Sequence, residues 1–173
     1  MHRLDIDLFS PTDAEAVTAL LHRAYGRLAR MGLRYWATHQ SVEDTMRRAS
    51  RGACWVARSE GRIVGTIVVM PSDPGAGVAW YARPDVATFG QFAVEPALQA
   101  HGIGSVLLER AERDAIGLGA RELACDTADH ATHLIAWYTA RGYRMVGHVD
   151  YRLHTDYCSV ILSKTLPAAQ PSR

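Results

Sequence analysis

The stretch Phe92-Ala93-Val94-Glu95-Pro96-Ala97-Leu98-Gln99-Ala100-His101-Gly102-Ile103-Gly104-Ser105 decides the fold. An apolar strand ends at Val94, and Pro96 opens a short connection. A helix then begins on Gly102 and Gly104, because Ile103, Leu107, Ala111 and Ala115 recur at four-residue spacing. The first amides of a helix have no intrahelical acceptor and carry the positive end of its dipole. Such a start binds phosphate without many basic side chains, and glycines let a pyrophosphate approach the backbone. Two other phosphate loops are excluded. Gly104 is followed by Ser105-Val106 rather than Lys-Ser/Thr, and Leu107 stands where a dinucleotide fingerprint needs its third glycine.

Upstream, residues 3–9 read as a strand. Ser10-Pro11-Thr12-Asp13 reads as a helix start, and Ala16, Leu20, Leu21 and Ala24 give that helix its apolar stripe. Residues 32–40 have no clean period, and Ser41-Val42-Glu43-Asp44 opens a second short helix. Strands at 53–58 and 63–70 flank the turn Ser59-Glu60-Gly61-Arg62, and a loop rich in proline and glycine fills 71–84. A strand over 86–94 leads into the deciding stretch, and Gly117 and Gly119 end the helix that follows it. Downstream lie a strand at 122–126, a helix at about 131–141 and strands at 143–149 and 159–163. Residues 167–173 read as a flexible tail. Strands alternating with helices in the second half argue for partly parallel pairing, and the hairpins for antiparallel pairing elsewhere. The expectation is an α/β (α+β) fold in one domain over 1–166, with a mixed, mostly antiparallel sheet of six to seven strands and about four helices on both faces.

Composition limits the functions. The 173 residues hold 48% apolar and 21% charged side chains at a net charge of +1, which excludes a disordered chain and disfavours a nucleic-acid binder. No apolar run reaches the ~18–20 residues of a membrane span, and the start lacks a signal-peptide core, so the expected location is the cytoplasm. Cys54, Cys125 and Cys158 are widely spaced in apolar stretches and read as three buried thiols rather than a metal or dithiol site.

The pattern Gln99-x-x-Gly102-x-Gly104, preceded by Val94-x-Pro96, resembles the acyl-CoA-binding motif of the GCN5-related N-acetyltransferase (GNAT) family. The segment Leu134-Ile135-Ala136-Trp137-Tyr138-Thr139-Ala140-Arg141-Gly142-Tyr143-Arg144 resembles the family's apolar–Tyr–x–x–x–Gly–aromatic signature. The element order fits from Arg3 to about Leu166. One departure is Ala131, where many members carry an asparagine; Asp129, His130, Thr132 and His133 surround it.

The resemblance implies a sheet with a V-shaped splay, acetyl-CoA as cosubstrate and acetyl transfer to the primary amine of a small molecule, amino acid or peptide. It implies that Gln99, Ala100, His101, Gly102, Ile103, Gly104 and Ser105 cradle the pyrophosphate, and that Phe92, Ala93 and Val94 run along the pantetheine arm. A backbone N–H at Val94 or a neighbour would polarise the thioester carbonyl. Tyr138 would meet the CoA sulfur as proton donor or hydrogen-bond partner; its neighbours Trp137 and Ile135 read as core.

The base that deprotonates the amine stays open. Thr88, at the strand position where the family often carries a carboxylate, cannot act as one, and Gln91 does not titrate. Asp126 is the preferred carboxylate. Glu95 reads as solvent-facing, His130 and His133 are of a residue type whose unperturbed pKa is suitable, and a water path or a residue from the amino-terminal half is the remaining option. His101 reads as an exposed loop histidine, and no histidine spacing suggests a metal. Tyr25, Tyr35, Trp36, His39, Trp80 and Tyr81 offer aromatic contact to an acceptor amine. A homodimer is common in the family and stays open. The alternatives are a non-catalytic acyl-CoA sensor and a transferase that uses another acyl group or a hydroxyl acceptor.

Overall fold

Short-range chemistry sets most element boundaries in the computed structural model, which describes residues 3–151 and 157–168. Ser10 and Asp13 form a capping box around a 3-10 turn, Pro11–Asp13, that leads into α1 (Ala14–Arg30). Ser41 and Asp44 form a second box that starts α2 (Val42–Ala49). Between strands β2 (Ala53–Ser59) and β3 (Arg62–Met70), Glu60 and Gly61 have φ of 51° and 75°. Two left-handed central residues make the turn that matches the twist of an antiparallel hairpin.

The remaining elements are β1 (Leu4–Leu8), β4 (Val86–Val94), α3 (Ile103–Gly117), β5 (Glu122–Ala128), α4 (Thr132–Thr139), β6 (Arg144–Asp150) and β7 (Cys158–Thr165). The seven strands form one sheet in the order β1-β2-β3-β4-β5-β7-β6. Strands β1 with β2, β2 with β3, β5 with β7, and β6 with β7 are antiparallel, whereas β4 and β5 are parallel. The β4–β5 register runs from Val86↔Glu122 to Thr88↔Ala124. The mixed, mostly antiparallel sheet with four flanking α-helices matches the sequence expectation. β5 runs two residues further than its pattern suggested, and Gly117 is the last residue of α3 rather than its stop.

The chain clusters into two compact units. The first is Met1–Val69 with Gly90–Ala111. Its core joins Val17, Leu20, Leu21 and Ala24 of α1 to Ala37, Val56 and Ala93. Each large apolar side chain fully buried there stabilises the fold by about 1.5–3 kcal/mol. Ala16, assigned to this stripe by spacing, is exposed, and Val17 is buried in its place, since it stands three and four residues before Leu20 and Leu21 on the same helix face. Arg58 holds Asp13 with Nη2 at 2.8 and 2.9 Å from the two carboxylate oxygens, tying β2 to the start of α1.

The second unit is Met70–Phe89 with Glu112–Arg173. Its core packs Val78, Tyr81, Val86, Ala124 and Ile161, with Trp80, Val149 and Tyr151 at the margin. Of the expected tail, Pro167 and Ala168 are exposed, and residues 169–173 lie outside the described residues.

Candidate active site

In the first unit β4 delivers the chain to a loop that is held from α1. After the 3-10 turn Pro96–Leu98, Ala100 and Gly102 take left-handed backbone with φ of 65° and 86°. A Cβ on Gly102 would meet nothing within 4 Å, so glycine is needed there for its backbone conformation and not for space. Val106 N donates to Gly102 O at 3.1 Å, the regular helical bond. Amides earlier in the turn lack an acceptor within their own helix, as a phosphate site requires.

The side chains around this loop are ordered by α1. Arg23 grips Glu95 through Nε and Nη2, at 3.0 and 2.7 Å from Oε2. Tyr25 donates to Phe92 O at 3.0 Å. Arg27 donates to Gln99 Oε1 at 3.0 Å, and Gln99 Nε2 reaches back to Val94 O at 3.3 Å. Glu95 is therefore a half-buried ion-pair partner and not the solvent-facing carboxylate expected, because the helix brings a guanidinium onto it. His101 is exposed, and its Nδ1 lies 2.8 Å from Gln99 O. A carbonyl only accepts, so Nδ1 carries the proton. Ala93 and Ile103 are buried; Phe92, Val94, Gly104 and Ser105 are half-buried; Gln99, Ala100 and Gly102 are exposed.

In the second unit Tyr138 projects from α4 into an aromatic cluster. Its ring lies 5.9 Å from Phe89, 5.1 Å from Trp137 and 5.6 Å from Tyr143 between centroids. Tyr138 also hydrogen-bonds the thiol of Cys125. Burial pushes that thiol well above its usual range, the Asp126 charge adds to the rise, and the tyrosine bond offsets part of it. Trp137 and Ile135 are half-buried rather than core, because α4 turns one side of this short helix to water. The Arg141 guanidinium covers the Trp137 ring at 3.6 Å. Ala131 is fully buried and supplies no side-chain cap to α4.

Asp126 is the one exposed residue of β5, on a face whose other residues Glu122, Ala124 and Ala128 are buried, and it accepts a hydrogen bond from Tyr81 Oη at 2.8 Å. Tyr81 is buried, and burial followed by the Asp126 charge pushes its phenol far above the usual range. It therefore stays a donor. Tyr151 is pushed up to about 12 by burial and then by the same carboxylate. His130 Nδ1 lies 2.8 Å from Asp129 Oδ1, and His133 is exposed. Thr88 is half-buried on β4.

Of the six acceptor-side aromatics, Tyr25 and Tyr35 meet edge to face at 5.4 Å, and Trp36 lies 5.2 Å from His39, all in the first unit. Trp80 and Tyr81 belong to the second. Cys54 and Cys125 are buried as expected, and burial lifts the Cys54 thiol to about 11. Cys158 is only half-buried, because it opens β7 at the end of the sheet pairing. Sequence reading missed Arg23, Arg27 and the Tyr81–Asp126 bond. Arg23 and Arg27 are separated from their partners by 72 residues, so no local pattern could signal them. Among the described residues no cluster of three metal-binding side chains forms, and no helix is long and apolar enough to cross a membrane.

The Acetyltransferase (GNAT) family profile matches residues 15–143. The chain is 31% identical over 159 residues to the S-(2-succino)cysteine N-acetyltransferase of Bacillus subtilis (strain 168), covering 89% of this chain and 91% of that protein. In fold it is similar to the ribosomal-protein-S18-alanine N-acetyltransferase of Escherichia coli, with a TM-score of 0.72, 19% identity and 99% of both chains covered. It is also similar to a GNAT family acetyltransferase of Elizabethkingia anophelis solved with acetyl-CoA bound, with a TM-score of 0.67, 18% identity, and 94% and 98% of the two chains covered. The family match spans both the phosphate-type loop and Tyr138, and on it the chain belongs to the GNAT family of acetyltransferases.

Proposed function

We propose that this protein is a cytoplasmic N-acetyltransferase that moves the acetyl group of acetyl-CoA to the primary amine of a small molecule, amino acid or peptide. The observation that carries the reading is the loop 99–105, with left-handed backbone at Ala100 and Gly102 opening a 15-residue helix. Its backbone donors suit a pyrophosphate, and the near-neutral charge of the chain is no obstacle to that. In this reading the loop 99–105 holds the pyrophosphate and Phe92–Val94 the pantetheine arm. A backbone N–H near Val94 stabilises the oxyanion as the amine nitrogen bonds the acetyl carbon. Asp126 accepts the amine proton, the carbon–sulfur bond breaks, and Tyr138 gives a proton to the departing thiolate.

An S-substituted amino acid is the first acceptor to assay, since the relative at 31% identity is named for S-(2-succino)cysteine. The test is release of free thiol from acetyl-CoA with S-(2-succino)cysteine, other amino acids and peptide amino termini. Amine-dependent thiol release with an N-acetyl product is the expected result. CoA binding without turnover of any amine would make the protein an acyl-CoA sensor. Turnover confined to hydroxyl acceptors or to longer acyl groups would move it to another transferase class.

A further inference from the structure

Gln91 interrupts β4 in a way its sequence neighbours do not explain. Its φ is +45°, a left-handed conformation inside a strand, and its side chain is 2% exposed. A non-glycine residue holds such a backbone only where its surroundings over-determine it. Those surroundings are a buried polar network in the first unit. Gln40, 1% exposed, donates through Nε2 to Gln91 Oε1 at 2.6 Å and to Thr45 Oγ1 at 2.7 Å. Gln40 Oε1 accepts from Arg48 Nη1 at 2.5 Å, which fixes the amide in one orientation. Its backbone carbonyl accepts from His22 Nε2 at 2.8 Å. Thr45 Oγ1 lies 2.6 Å from Thr18 Oγ1, which also donates to Ala14 O. The network thus joins α1, α2 and the segment before α2 to a single point on β4. That point directly precedes Phe92–Val94.

We propose that Gln40 is a positioning residue for acetyl transfer: its amide pins Gln91 in the left-handed kink, and the kink sets the course of Phe92–Val94. The proposal rests on the acetyl-CoA reading, in which that segment runs along the cosubstrate arm and offers an N–H to the acetyl carbonyl. Tyr25, bonded to Phe92 O, holds the strand just past the kink, so the direction is fixed on both sides of the turn. The carbonyl contact exists for acetyl-CoA and not for CoA. The same segment also lies along the pantetheine arm that CoA keeps, so loss of the pin lowers kcat well beyond any loss of CoA affinity, whereas a general loss of structure would lower both together.

The experiment compares four full-length variants with the parent by kcat, CoA dissociation constant and Tm. Gln40→Met keeps the volume and removes the donors; a kcat at least tenfold lower with CoA affinity weakened no more than threefold is expected. Adding Gln91→Gly, which takes positive φ without an anchor, is expected to restore kcat at least threefold. Gln91→Val, which resists positive φ, is expected to fall at least tenfold below Gln91→Gly. The last pair decides the matter if Gln40→Met does not fold. A folded Gln40→Met with kcat within twofold of the parent overturns the proposal, as does equal kcat for Gln91→Gly and Gln91→Val. A parent that binds CoA and transfers acetyl while the variants behave this way sinks the proposal alone. A parent that neither binds CoA nor transfers acetyl sinks the functional reading and the proposal with it.

Discussion

Tyr81 Oη donates to Asp126 Oδ1 at 2.8 Å, joining a buried phenol of the 71–84 loop to the exposed carboxylate of β5. The bond fixes the orientation of the carboxylate proposed above as the base. Asp126→Asn is expected to lower kcat about 100-fold, the usual scale of a general base. A rate within threefold of the parent would assign the proton to water or to another side chain.

Tyr138 has a different test. Tyr138→Phe keeps the ring contacts to Phe89 and Tyr143 and removes only the hydroxyl. A fall in kcat of about 100-fold at unchanged CoA affinity is expected for a lost proton donor. Isothermal titration with CoA beside steady-state kinetics checks both halves, and an unchanged kcat would remove the acid role.

Gly65 on β3 carries the start of α3 at close range. A Cβ there would sit 2.8 Å from Leu107 Cδ1 and 3.2 Å from Ile103 Cγ2. Gly65→Ala is expected to cost about 1–3 kcal/mol of stability through overpacking. Because Ile103 opens the helix that follows the loop, KM for acetyl-CoA is expected to rise as well. Thermal melts and a KM series measure the two effects.

Alkaline stability should depend on two phenols. Burial, with the charges of Asp126 and Glu112 next, pushes Tyr81 and Tyr143 far above the ordinary value of 10.0. The unfolded chain ionises near 10 and the folded chain does not. Their contribution is therefore complete below pH 10 and is lost progressively above it, by about 1.4 kcal/mol per pH unit for each. Tyr81→Phe and Tyr143→Phe should each flatten the fall of Tm between pH 10 and 12.

Acid stability should depend on Glu122. Burial opposes its ionisation, but hydrogen bonds from Arg144, Ser163 and Thr165, with the charge of Arg144, outweigh burial and hold it below the ordinary 4.5. Arg144 Nη2 and Ser163 Oγ reach it at 2.9 and 2.6 Å. A carboxylate lowered by folding contributes fully above 4.5, and the contribution is lost as pH falls through its folded value. Glu122→Gln should be less stable than the parent at pH 7, and the gap should narrow toward pH 3 in urea titrations.

The sequence by itself determined the elements and the character of the phosphate-type loop. Capping boxes at Ser10 and Ser41, the Glu60-Gly61 turn and the four-residue spacing from Ile103 to Ala115 are local signals, since caps and turns act within a few residues. The motif from Gln99 to Gly104 and the Tyr138 segment carried the family for the same reason. Only the tertiary structure decided which groups meet. Val17 rather than Ala16 is buried, Glu95 is paired by Arg23, Asp126 is held by Tyr81, and Gln91 is kinked under Gln40. These pairings join residues from 45 to 72 positions apart, with the Gln40–Gln91 bond at 51. Such contacts depend on how helices and strands pack, and spacing along the chain carries no record of that.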